Sequence, residues 1–245
     1  MLDLAAAYAE TQEHLADLVR GLPPQELDRK VPASPEWSVQ DVVAHVTGVA
    51  ADAVGGKIPP ELDLVLSLSY PTHAARRDEL TAQQVASRRG RSLGEILEEW
   101  SGHVSRLLPM IRGEQPFPSG VPFADAVLVT DLAVHAQDVR GAVGRPGDRE
   151  SAAVSVALVS YATALVLKLA AAKLPPLRLR YGGKERVVGD GEPAATLEGD
   201  RFEIFRALSG RRSSEQMLAM RWEGDPTPYV PLIPAYGPRS DPIVE

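Results

Sequence analysis

At Leu174-Pro175-Pro176 the chain changes its hydrophobic period, and that single switch limits the folds open to it. Upstream, apolar residues recur at helical spacing; downstream, Leu177, Leu179 and Tyr181 alternate with Arg178 and Arg180, as a half-buried strand requires. The expected fold class is therefore α followed by α/β. Residues 1–175 should form a helical bundle, and residues 176–245 a small α/β domain with a Pro-rich tail.

The helical part carries its own punctuation. Leu4, Tyr8, Thr11, Leu15 and Leu18 mark a first helix, closed by Gly21-Leu22-Pro23-Pro24. Ser38 with Asp41 is an Asp version of the capping box, and opens a second helix that runs to Gly55-Gly56. Trp37, just before that cap, is placed to pack back as a hydrophobic staple. Ser92 with Glu95 opens a third helix bearing Ile96, Trp100, Val104, Leu107 and Ile111. After the turn-rich 113–122 connection, a fourth helix should run from about Phe123 to Val143, and an apolar one from Ser151 to Lys173. In the second part, Val187-Val188 and Ala195-Thr196-Leu197 read as strands, Asp200 as the cap of a helix over 201–208, and the last twenty residues, with six prolines, as extended chain.

Charge and targeting signals narrow the function. The balance of 26 basic against 33 acidic residues, net −7, disfavours nucleic acid as a partner, because polyanion binding draws on a basic face. The N-terminus has no basic n-region ahead of an apolar run, and the uncharged stretch from Ser151 to Leu167 falls short of the ~20 apolar residues of a membrane span. A cytoplasmic protein without a membrane partner, monomer or homodimer, is expected. The absence of cysteine excludes thiolate zinc sites, iron–sulfur clusters and a protein-borne thiol nucleophile.

Chemistry then falls to histidines and carboxylates. Asp131 and His135 are four residues apart on the fourth helix and so share a face, with Asp138 at the next turn of the stripe. Their neighbours Val127, Leu128, Leu132, Val134 and Val139 are apolar, and so are those of His45 on the second helix. Ionisable groups turned toward a bundle interior need each other or a metal. Together His45, Asp131 and His135 supply two nitrogens and a carboxylate, the ligand count of an open divalent-metal site, with Asp138 as an outer partner or extra ligand. An intrahelical Asp–His hydrogen bond and a satisfied core histidine account for the same residues taken singly. His14, His73 and His103 read as surface histidines.

The residues around both segments carry a resemblance. Trp37-Ser38-Val39-Gln40-Asp41-Val42-Val43-Ala44-His45-Val46 resembles the W-S-V-x-D-V-x-x-H-L segment of the mycothiol-dependent maleylpyruvate isomerase family, within the DinB-like metalloenzyme superfamily. Asp131-Leu132-Ala133-Val134-His135-Ala136-Gln137-Asp138-Val139 resembles its E-x-x-x-H-x-x-D-L helix, with Asp in place of the common Glu. The segments at Leu208-Ser209-Gly210-Arg211-Arg212 and Trp222-Glu223-Gly224-Asp225 resemble its small C-terminal domain, related to sterol-carrier folds.

The resemblance implies a DinB-like up-down four-helix bundle plus a connecting helix over residues 1–175. It also implies that His45, Asp131 and His135 bind a divalent metal, most often zinc, and that mycothiol, a thiol of actinobacteria, is the cosubstrate. A metal-bound thiol is deprotonated and adds to an electrophilic small molecule, giving isomerisation or S-transfer. Arg178, Arg180, Arg211 and Arg212 are candidates to meet an anionic substrate, or are solvated surface arginines. Other readings are a non-catalytic binding or interaction protein on the same bundle, and a metal hydrolase. Two His and one carboxylate also describe a non-haem iron site, but the H-x-x-x-H-x-E pattern of thiol-oxidising iron enzymes in the superfamily is absent.

Overall fold

The computed structural model describes residues 2–58, 71–121 and 124–245, with the backbone alone for 71–74. The expected start of the fourth helix at Phe123, and the side chain of His73, lie outside the described residues. The chain divides into a helix-rich unit up to Val156, which Glu245 joins, and a sheet-containing unit from Ala157 to Val244.

In the first unit, α1 (Leu4–Arg20) and α2 (Pro24–Leu27) lead to a short antiparallel pair, β1 (Lys30–Val31) and β2 (Ser34–Ser38). Then follow α3 (Val39–Val54), α4 (Pro71–Ala86), α5 (Leu93–Ile111), α6 (Ala124–Ala142) and the start of α7 (Ala152–Ala171). Both expected capping boxes form: Ser38 and Asp41 satisfy each other's backbone N–H groups at the start of α3, as Ser92 and Glu95 do at α5. Helix α3 packs against α4, α5 and α6, and α1 against α5 and α6. Tyr8, Leu15, Trp100, Leu107, Leu128 and Leu132 fill the space between them.

Three parts of this unit carry no sequence signal: the single-turn α2, the β1–β2 pair and α4. The β1–β2 pair is too short to show a period. Helix α4, of sequence PTHAARRDELTAQQVA, lacks an apolar stripe and packs through Gln84 and Val85.

The second unit holds a four-stranded sheet in the order β4 (Lys184–Val188), β3 (Leu177–Tyr181), β5 (Ala195–Glu198), β6 (Arg221–Glu223). Strands β3 and β5 run parallel and the other pairs antiparallel. Leu177, Leu179 and Leu197 are fully buried, as the alternation requires. Asp200 accepts from the Glu203 N–H and caps α8 (Arg201–Leu208); α9 (Ser214–Leu218) and β6 are too short for a periodic signal.

The first part of the Pro-rich tail is not extended as expected. Residues 226–237 coil in successive turns, with Tyr229 N–H donating to Pro226 and Leu232 N–H to Tyr229. Lys168, on α7, donates to the carbonyls of Leu232, Pro234 and Ala235, and Tyr161 meets Tyr236 edge-on with ring centroids 6.4 Å apart. These anchors tie the later part of α7 to the tail within the second unit. By length and composition α7 is apolar enough to cross a membrane, yet Leu158, Ala162, Leu165 and Leu169 on it are buried within the protein.

Candidate metal centre

Helices α3 and α6 bring His45, Asp131 and His135 together. Their ligating atoms lie within 4.8 Å of one another. One carboxylate serves both imidazoles: Asp131 Oδ2 is 3.6 Å from His45 Nε2, and Asp131 Oδ1 is 3.6 Å from His135 Nε2. Those separations are long for hydrogen bonds. They match the roughly 3.4 Å edge that four N and O ligands at about 2.0–2.2 Å describe around zinc. The donor chemistry also suits a borderline divalent cation, so these residues fit such a metal. The shorter Asp arm reaches both rings.

The surroundings hold the rings in place. His45 is 2% exposed and His135 is largely buried, their centroids 4.7 Å apart and nearly perpendicular. Trp37 closes one side, its ring 5.0 Å from His45 and 6.2 Å from His135. The tryptophan expected to staple the helix entry is thus also a wall of the site. His45 Nδ1 lies 2.9 Å from Gln84 Oε1, and Gln84 Nε2 donates to Asp52 at 2.7 Å. Asp138, its side chain fully enclosed, places Oδ2 3.3 Å from His135 Nδ1. That nitrogen is buried without a hydrogen bond, a short adjustment from donating to Asp138. Burial pushes the Tyr8 phenol well above its ordinary value; the Asp131 charge adds to this and the Trp100 indole opposes it.

The other sequence candidates are held by partners within their own units. His14 is 3.2 Å from Asp148, and His103 is 3.5 Å from Glu99. Within the second unit Arg180 reaches Glu185, Glu198 and Glu223, and Arg178 lies 3.8 Å from Glu185. Arg212 is held by both oxygens of Glu203, and Arg211 donates to the Ser209 carbonyl. Gln84 and Asp52 gave no sequence signal as site residues.

A family model described as the mycothiol maleylpyruvate isomerase N-terminal domain matches residues 8–140, more than half of the chain. The chain belongs to this family. The matched region contains His45, Asp131 and His135. Among solved structures, the chain is similar in fold to the mycothiol-dependent maleylpyruvate isomerase, at TM-score 0.50 and 16% identity over 85% of this chain and 88% of that one. It is equally similar to a histidine-to-alanine mutant of that enzyme, at TM-score 0.50 and 14% identity over 84% and 88%. A comparison with curated proteins found no match.

Proposed function

We propose that this chain is a mycothiol-dependent metalloenzyme, a maleylpyruvate isomerase-like isomerase or a thiol S-transferase. The observation that carries the reading is the convergence of His45, Asp131 and His135 in a unit of this family. These three residues would hold a divalent cation, zinc by preference. When bound, the cation supplies a Lewis acid that favours the thiolate form of a coordinated thiol. The chain, which has no cysteine, would then use the thiol of a diffusible cosubstrate.

Its own residues perform the remaining tasks. Asp131 keeps the two imidazoles turned toward one point, Asp138 backs His135, and the Trp37 ring keeps water from one side. In the second unit Arg178, Arg180, Arg211 and Arg212 are the cations offered to an anionic electrophile. Arg180 would first release Glu185, Glu198 and Glu223, and Arg212 would release Glu203. We further read α1, α3, α5 and α6 as a DinB-like up-down four-helix bundle, and the second unit as a sterol-carrier-like domain. The pairwise packing of those helices supports the first.

The test is zinc-loaded protein with mycothiol and maleylpyruvate. The reading expects a thermal shift with mycothiol and a mycothiol-dependent isomerised or thioether product, both lost in His135→Ala. Loaded protein that neither binds mycothiol nor consumes it would overturn the reading, and thiol-independent ester or amide cleavage would replace it with a hydrolase.

A further inference from the structure

Gln84 stands on a helix without an apolar stripe, yet it is 5% exposed and reaches the Nδ1 side of the His45 ring, away from Asp131. Three features of α3 receive it. His45, Gly48 and Asp52 are spaced at i, i+3 and i+7, so they share one face of that helix. Gly48 is the notch: a Cβ there would lie 2.6 Å from Gln84 Cβ, 2.8 Å from its Cγ and 2.9 Å from Arg88 Nη1. Only glycine lets α4 come close enough to seat the amide between the other two.

The amide has one sense. Asp52, as a carboxylate, only accepts, so the Gln84 NH2 group must face it and Oε1 must face His45. Facing an acceptor, His45 Nδ1 must carry the proton. The lone pair then sits on Nε2, the nitrogen turned toward Asp131. Were the amide reversed, its NH2 would donate to Nδ1, the proton would move to Nε2, and the ring would offer no ligand to the site.

We propose that Gln84 is a positioning residue that fixes His45 as the Nδ1–H tautomer, its amide sense set by Asp52 and its seat by Gly48. The effect on metal affinity rests on the metal reading above; the tautomer assignment does not.

The experiment uses full-length protein with labelled histidine ring nitrogens, at alkaline pH and freed of metal. Wild type should show His45 with the proton on Nδ1. Gln84→Met should give a mixture of tautomers and weaken zinc binding, measured by chelator competition, about 10- to 100-fold, the usual cost of losing an outer-sphere partner. The double variant Asp52→Asn with Gln84→Glu rebuilds the chain with donor and acceptor exchanged between 52 and 84. It should restore both the tautomer and the affinity. A wild-type His45 protonated on Nε2, or a Gln84→Met protein unchanged in tautomer, overturns the proposal. So does a double variant that folds but does not recover the Nδ1–H form. Wild type that is Nδ1–H and binds no zinc contradicts the metal reading while sustaining the positioning role.

Discussion

The carboxylate of Asp131 is the residue on which the site turns, because it faces both imidazoles at 3.6 Å. Asp131→Asn keeps the shape and removes the charge, so zinc affinity should fall by more than the roughly 10–100-fold typical of an outer partner. Asp131→Glu, with the same charge on a longer arm, should retain tight binding; chelator competition on both proteins checks the pair. Three positions of this cluster were readable in the chain because each is an ionisable group stranded among valines and leucines. Gln84 and Asp52 were not, since a glutamine in a polar helix and an acid near a helix end look like solvated surface. Their roles come from tertiary contact between α3 and α4, which no local spacing encodes. The sequence places Trp37 before a helix cap, whereas its proximity to the two imidazoles arises only with α6 beside it.

Among the elements, the helices with apolar stripes and side-chain caps were the legible ones. The Ser92–Glu95 box starts α5, and Ser92→Ala should cost about 1 kcal/mol, read by chemical denaturation. What stayed hidden were segments too short to carry a period, such as β6 and α9, and the polar α4, which is held by its neighbours more than by any stripe of its own. The tail shows the same limit. Its prolines suggest extension, but Lys168 gathers three carbonyls of 232–235 and folds it into turns. Burial holds the Lys168 ammonium below its ordinary value, so these acceptors only partly offset desolvation. Lys168→Met should leave those carbonyls without their donor and destabilise the second unit by roughly 1–3 kcal/mol. Faster amide exchange across residues 229–237 should accompany the loss, and an unchanged exchange pattern would refute the anchoring.

For the whole molecule, the hydrophobic switch near residue 175 marks where helix-rich sequence gives way to sheet-containing sequence. Acid sensitivity is a property of the assembled first unit. Around Glu99, burial disfavours the charge, but hydrogen bonds from Arg88 and Arg91 outweigh it and hold the carboxyl below its ordinary 4.5. Its contribution is therefore present above about pH 4.5 and is lost as pH falls through the lower folded value. The gap in melting temperature between wild type and Glu99→Gln should be largest near neutrality and close in that acid window. The account as a whole depends on the helical unit being assembled around a metal site, and calorimetric titration of chelator-stripped protein with zinc tests that most directly. Wild type should take up one tight equivalent per chain and folded His135→Ala none; a wild type that binds no zinc, or a variant that binds it equally well, would contradict the account.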